Sequence, residues 1–189
     1  QKGLDATLGY GGHTKEMLKC LQGNGHIYGL DVDPIEIKKT KERLENQGFG
    51  SDILTIIQTN FCNVDEVSEK FGPFDFMLAD LGVSSMQIDN PDRGFTYKFE
   101  GPLDLRLNPE KGISAAERLT QVTQEELEGM LIENADEPYA AELARAIYLR
   151  EKKGQKIKTT TELRDVIADT LSFLPASEQK EAIKKSCQR

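Results

Sequence analysis

Residues 4–14 read LDATLGYGGHT, in which a short apolar strand pattern runs into a glycine-rich turn and a helix pattern begins directly after it. The glycines at positions 9, 11 and 12 allow the backbone to approach a ligand where a Cβ atom would collide. The first turn of the following helix presents unpaired amide groups at the same place. This unit is typical of an α/β domain that binds a nucleotide-like cofactor, although a purely structural tight turn has the same signature.

Strand and helix patterns alternate through the first 82 residues, which favours a parallel sheet with crossover helices. Asp33 and Pro34 are typical of a helix N-cap followed by proline at the first helical position. The predicted strands are 3–8, 26–31, 53–58 and 74–79, and the predicted helices between them are 12–21 and 35–46.

The sequence changes character in residues 83–113, which are rich in glycine and proline and predict a long loop without regular structure. Phe95, Tyr97 and Phe99 alternate along this loop. They are suited to stacking on an unpaired base, and they are equally typical of a small strand packed on the core. The pattern favours neither reading over the other.

Residues 114–189 have a helical pattern and predict a helical subdomain. Two capping-box sequences, Thr123-x-x-Glu126 and Thr159-x-x-Glu162, each precede apolar residues at helical spacing. The chain therefore divides into an α/β part (1–82), a loop (83–113) and a helical part (114–189).

The composition limits the classes of protein to consider. A formal charge of −8 argues against a protein that coats nucleic acid without specificity. The three cysteines are widely spaced and suggest neither a disulfide framework nor a zinc or other metal site. No apolar run approaches the roughly 18 residues of a membrane span, so we expect a cytoplasmic protein without a membrane partner. The oligomeric state stays open, with a homodimer among the options.

Acidic residues follow two of the predicted strands, where ligands bind in doubly wound sheets. Asp31 stands 20 residues after Gly11, the spacing of the acidic residue that accepts the ribose hydroxyls of a dinucleotide or adenosyl cofactor. Asp33 competes for this role, but its position before Pro34 favours a helix cap. Asp80 ends the fourth strand, where we expect a reactive centre.

The turn at residues 9–13 departs from the G-x-G-x-x-G register and offers no Lys or Arg to face a pyrophosphate. This argues against a nicotinamide cofactor. S-adenosylmethionine has no phosphate, and an acidic, glycine-lined cleft suits its ribose, adenine and sulfonium cation. Phe61 follows the third strand and is placed either to stack on adenine or to be a buried core aromatic.

Several linked motifs give a specific resemblance to a known family. They are Asp5-Ala6-Thr7-x-Gly9-x-Gly11-Gly12-His13, Asp31-x-Asp33-Pro34, Asp80-Leu81-Gly82-Val83-Ser84-Ser85-x-Gln87, Arg93-Gly94-Phe95 and Gly101-Pro102-Leu103-Asp104-x-Arg106. Together they resemble the S-adenosylmethionine-dependent methyltransferases that modify a cytosine at N4 in small-subunit ribosomal RNA. The resemblance covers nearly the whole chain.

The resemblance implies a Rossmann-like methyltransferase core with an inserted, mostly helical substrate-recognition domain, joined by an active-site loop. It implies S-adenosylmethionine as cofactor and small-subunit ribosomal RNA or the small ribosomal subunit as partner. The family pattern also has further strands after the insertion, so we expect a fragment with an incomplete sheet, whose activity belongs to a parent protein. The implied cofactor contacts are Gly11, Gly12, His13, Asp31, Phe61, Asp80 and Gln87.

Methyl transfer to an exocyclic amine is an in-line displacement, so the amine must be held near the methyl carbon. The amine also loses a proton, and Asp80 and Asp104 are candidates to polarise it. The target base must leave any helical stack, which requires contacts to unpaired RNA. Candidate RNA contacts are Arg93, Phe95, Arg106, Arg145, Arg150, Lys152 and Lys153, with Lys156 and Lys158 in the same basic run.

The basic run is equally typical of a solvated helix end. Two other functional classes also stay open from the sequence, a nicotinamide-dependent oxidoreductase and a non-catalytic module that binds a cofactor or RNA.

Overall fold

The computed structural model describes residues 1–189, which form two compact units. The α/β unit comprises residues 1–86 and 107–109, and the helical unit comprises residues 87–106 and 110–189. Each unit has its own apolar core. None of the helices is long and apolar enough to cross a bilayer.

The α/β unit is built on a four-stranded parallel sheet in the order β3-β2-β1-β4. Its strands are β1 (Lys2–Asp5), β2 (His26–Asp31), β3 (Leu54–Gln58) and β4 (Phe76–Leu78). All four predicted strands are confirmed, but β1 ends at Asp5 because the chain turns there: the Asp5 carboxylate accepts a hydrogen bond from the amide of Thr7. Since the strands are parallel, their carboxyl ends share one edge of the sheet.

Helices cover both faces of this sheet. They are α1 (Gly12–Leu21), α2 (Pro34–Asn46) and α3 (Val64–Phe71). Leu18, Ile27 and Leu44 pack on one face, and Leu4, Leu30 and Val67 on the other. The bounds of α1 match the prediction and α2 begins one residue earlier than predicted. Helix α3 is not among the predicted elements, although its apolar residues have helical spacing.

The helical unit contains α5 (Ala115–Gln121), α6 (Gln124–Ala135), α7 (Ala140–Lys152), α8 (Thr160–Thr170) and α9 (Ala176–Gln188). Both predicted capping boxes are confirmed: Thr123 with Glu126 opens α6, and Thr159 with Glu162 opens α8. Side chains from α6, α7 and α8 meet in its core together with Leu103.

The region 83–113 is more ordered than the sequence predicts. It contains helix α4 (Ser85–Asp89) and a 3-10 turn (Pro91–Arg93), so the prediction of a loop without regular structure is wrong there. Local capping explains the turn, because the side chain of Asn90 accepts a hydrogen bond from the amide of Asp92. Residues 94–100 form neither helix nor strand, which rules out the small strand considered for Phe95, Tyr97 and Phe99.

Candidate functional site

The glycine turn, residues 8–12, lies where β1 ends and α1 begins. Gly9 and Gly11 have φ values of 46° and 70°, in the left-handed region that favours glycine. A Cβ atom on Gly11 would lie 2.8 Å from the Cγ2 atom of Thr40, whereas one on Gly12 would meet nothing within 4 Å. The turn is therefore packed against the protein at Gly11 and open at Gly12.

A buried carboxylate ties this turn to its flanking elements. Asp5 is 1% exposed, and its Oδ2 atom accepts a 2.6 Å hydrogen bond from the hydroxyl of Thr14 on α1. The hydroxyl of Thr7 in turn accepts a hydrogen bond from the amide of Asp80 at 2.7 Å. The ends of β1 and β4 and the start of α1 thus form one bonded network. Sequence reasoning assigned no role to Asp5, Thr7 or Thr14, although Asp5 and Thr7 belong to the first motif.

Asp31 closes the other side of the turn. Its Oδ2 atom accepts from the amide of Gly9 at 2.7 Å, and its Oδ1 atom accepts from the amide of Asp33 at 2.9 Å. Burial raises the pKa of the Asp31 carboxyl above its ordinary value, against the lowering effect of these two hydrogen bonds. Two of the roughly four lone-pair positions of the carboxylate are used in this way, which leaves acceptor capacity for a ligand.

Asp33 has the structural role that the sequence favours. Its Oδ1 atom accepts from the amides of Ile35 and Glu36 at 2.9 and 3.4 Å, so it caps α2 and that prediction is confirmed.

The opening of α1 carries exposed polar groups. Gly11 is the N-cap residue, with no side-chain hydrogen bond to the first turn. The Nδ1 atom of His13 lies 3.8 Å from the Oδ2 atom of Asp80, and these side chains are 60% and 68% exposed. A helix N-terminus without a side-chain cap is suited to a negatively charged group, and the neighbouring carboxylate is suited to a positive one. This pair of charges matches the ends of an α-amino acid.

Phe61 follows β3 and stands at the start of a 3-10 turn (Phe61–Asn63), capped by Asn60. The amide of Thr59 donates to the carbonyl of Asp31 at 2.9 Å, which places this segment beside the end of β2. The ring of Phe61 is 47% exposed, so the alternative of a buried core aromatic is wrong. Its stacking on a ligand stays a prediction.

The structure brings six of the seven predicted cofactor residues to one edge of the α/β unit: Gly11, Gly12, His13, Asp31, Phe61 and Asp80. Gln87 is the exception, since it lies in α4, is buried and belongs to the helical unit.

In the helical unit, Asp104 and Arg106 form a two-pronged ion pair. The Nε and Nη2 atoms of Arg106 donate to the two carboxylate oxygens of Asp104 at 2.8 and 2.6 Å. The hydrogen bonds from Arg106 lower the pKa of the Asp104 carboxyl, with burial acting in the opposite direction. A carboxylate with a lowered pKa and this partner is a weak proton acceptor.

The other predicted RNA contacts fall in two groups. Arg93 is buried and donates to the carbonyl of Arg106, and its guanidinium carbon lies 5.9 Å from the centroid of the Phe95 ring. These contacts connect residues 93–95 to Arg106. The second group belongs to α7: Arg145 lies in the middle of the helix, and Arg150, Lys152 and the C-cap residue Lys153 lie at its end. Arg145, Lys152 and Lys153 are exposed, and Arg150 is half-buried.

Comparison with known proteins agrees with this architecture. The sequence profile of the MraW methylase family matches residues 2–189. The chain is 69% identical, over its whole length, to the ribosomal RNA small subunit methyltransferase H 1 of Lachnoclostridium phytofermentans, and covers 52% of that protein. It is 63% identical to the protein of the same name from Agathobacter rectalis, again over its whole length and over 54% of the relative.

A more distant relative, the ribosomal RNA small subunit methyltransferase H of Halothermothrix orenii, is 37% identical over 94% of this chain and 55% of its own length. The chain spans about half the length of the curated relatives it matches. The parallel sheet with its flanking helices is a Rossmann-like methyltransferase core, as the sequence predicts. On the strength of a profile match from residue 2 to residue 189, the chain belongs to the MraW methylase family.

Proposed function

We propose that the intact protein transfers a methyl group from S-adenosylmethionine to the N4 amine of a cytidine in small-subunit ribosomal RNA. The observation that carries the proposal is the bond from Gly9 to Asp31, which joins the glycine turn and an acidic strand end into one cofactor-binding edge. The names of the relatives, which say ribosomal RNA small subunit methyltransferase, support the substrate class.

The residues at this edge fit S-adenosylmethionine. The free acceptor capacity of Asp31 suits the two ribose hydroxyls, and the half-exposed ring of Phe61 suits adenine. The open backbone at Gly12 and the uncapped start of α1 suit the amino-acid carboxylate, and Asp80 suits its ammonium group. When bound, the cofactor supplies an electrophilic methyl group on a sulfonium.

A nicotinamide cofactor fits this edge less well. Residues 8–14 contain no Lys or Arg, and Arg43, which reaches the turn from α2, stacks on the ring of Tyr10. A pyrophosphate would therefore meet Asp31 and Asp80 without a compensating cation.

For the proton released by the amine, we assign Asp80 and not Asp104. Asp80 stands at the end of β4, is 68% exposed and is fixed through its amide to Thr7. There one carboxylate oxygen would accept a hydrogen bond from the acceptor amine, while the other would face the ammonium group of the cofactor. Asp80 would take the proton of the amine as the N–C bond forms and the bond from the methyl carbon to the sulfonium sulfur breaks, which leaves a neutral thioether. Asp104 is already paired with Arg106, whose Nη1 atom donates to the carbonyl of Gly112. We therefore assign Asp104 a structural role, which is to order residues 104–112.

For RNA binding, we propose that Arg145, Lys152 and Lys153 contact phosphates and that Phe95 contacts an unstacked base. Arg93 is buried and Arg106 and Arg150 are half-buried, so we expect them to position neighbouring residues of the helical unit. Replacing the three exposed residues with Gln should weaken the salt dependence of RNA binding. The slope of the logarithm of the association constant against the logarithm of the salt concentration should become less negative by about 0.7 for each phosphate of single-stranded RNA that is no longer neutralised. Glu133→Gln, a substitution of an exposed acidic residue on α6, is the charge control.

The test is methyl transfer by the purified intact protein, with labelled S-adenosylmethionine, to free small-subunit ribosomal RNA and to small ribosomal subunits. We expect label in one of these substrates and N4-methylcytidine in its nucleoside digest. Label on another base or another cytidine atom would refute the assigned specificity. Calorimetry that detects binding of NAD and none of S-adenosylmethionine would refute the proposal altogether.

A further inference from the structure

Helix α2 contacts the glycine turn through side chains on a single face. The buried hydroxyl of Thr40 donates to the carbonyl of Gly9 at 2.7 Å. One turn further, the guanidinium of Arg43 lies 3.3 Å from the centroid of the Tyr10 ring. Leu44 and Thr40 fill the space beside Gly11, where a Cβ atom would lie 3.1 and 2.8 Å from them. Positions 40, 43 and 44 share one helical face, so these contacts form one surface.

The peptide groups at Gly9 are held from both sides. Its amide donates to Asp31, the last residue of β2, and its carbonyl accepts from Thr40 on α2. Glycines at positive φ leave that conformation at little steric cost, because they lack a Cβ atom. The turn therefore depends on outside contacts to stay in one conformation.

Arg43 is placed for stacking at the expense of hydrogen bonding. Its Nη2 atom is buried and has no hydrogen-bond partner. A guanidinium is rarely left in that state, because an unsatisfied buried donor is unfavourable. The guanidinium of Arg43 instead stacks on the ring of Tyr10, which is half-exposed at the tip of the turn.

We propose that α2 clamps the glycine turn, with Thr40 and Arg43 as positioning residues for the cofactor site. This inference rests on the proposed function of the turn as that site. If a variant lets the turn leave the binding conformation, the apparent Kd of the cofactor rises by the inverse of the fraction that stays competent. We expect the Kd of S-adenosylmethionine to rise about fivefold in Arg43→Met and about tenfold in Thr40→Val, with kcat at saturation unchanged.

The first experiment measures hydrogen exchange of residues 9–13 in the intact, ligand-free protein. Arg43→Met and Thr40→Val should exchange faster in this segment, while the amides of β2 keep their wild-type rates. Thr40→Ser retains the hydroxyl and should restore protection. Lys39→Met, which removes an exposed charge from the same helix, should behave as wild type. Unchanged exchange in both clamp variants would overturn the proposal.

The second experiment measures the Kd of S-adenosylmethionine by calorimetry for the same variants. The double variant of Arg43→Met with Tyr10→Leu should be little worse than Tyr10→Leu alone, since both break one contact. Full additivity would overturn the role of the stack. If the wild-type protein bound no S-adenosylmethionine, the proposed function would fail, and the exchange rates would still decide whether α2 clamps the turn.

Discussion

Removing the hydroxyl of Thr14 should destabilise the α/β unit. Thr14 is fully buried, and its 2.6 Å hydrogen bond is to a carboxylate that is itself 1% exposed. A hydrogen bond to a charged group contributes about 1.5–3 kcal/mol, and its loss leaves Asp5 with the Thr7 amide as partner. For Thr14→Val, which keeps the shape of the side chain, we expect a loss of about 2 kcal/mol.

That loss corresponds to a roughly thirtyfold larger unfolding constant. It can be measured by urea titration at pH 7 with hydrogen exchange of the α1 peptide, residues 12–21, as the readout for this unit. Thr14→Ser keeps the hydroxyl and separates the hydrogen bond from the packing of the methyl group. A Thr14→Val protein as stable as wild type within about 0.5 kcal/mol would refute the reasoning, since that is the scatter of surface substitutions.

Three further predictions concern titratable groups. Because burial raises the pKa of Asp31, the calorimetric affinity for S-adenosylmethionine should fall as the pH is lowered from 7 towards this raised pKa. The Asp31→Asn protein should bind more weakly at pH 7 and show little dependence on pH. Burial raises the pKa of Cys187 to about 11, so iodoacetamide at pH 8 should alkylate Cys187 more slowly than the exposed Cys62, as measured by peptide mass spectrometry. Because Arg106 lowers the pKa of Asp104, the pair adds stability above the ordinary aspartate range, and this stability is lost as the pH falls through the lowered value. Arg106→Gln should therefore lower the free energy of unfolding in urea titration at pH 7, and lower it less at pH 3.

The sequence predicts those features that arise from neighbouring residues. The Asp33 cap, the two capping boxes and the strand–turn–helix unit each depend on residues within a few positions of one another. Their patterns can therefore be recognised in the sequence alone. The shared edge of the acidic strand ends is predictable because the carboxyl ends of parallel strands always lie together.

Features that depend on distant partners are not predictable in this way. The bond of Asp5 to Thr14 and the stack of Arg43 on Tyr10 join separate elements, and no local pattern marks them. The pairing of Asp104 with Arg106 is local in sequence, yet it changes a candidate base into a loop contact because the arginine folds back on it. Helix α3 escapes prediction because it is short and follows a strand closely.

The most direct test of the account is the position of the methyl group after a reaction of the intact protein with labelled S-adenosylmethionine and small ribosomal subunits or their RNA. The account predicts N4-methylcytidine, formed by the wild-type protein and lost or strongly reduced in Asp80→Ala. An Asp80→Ala protein that forms N4-methylcytidine at the wild-type rate would contradict the proposed site, and a wild-type protein that methylates no cytidine at N4 would contradict the proposed function.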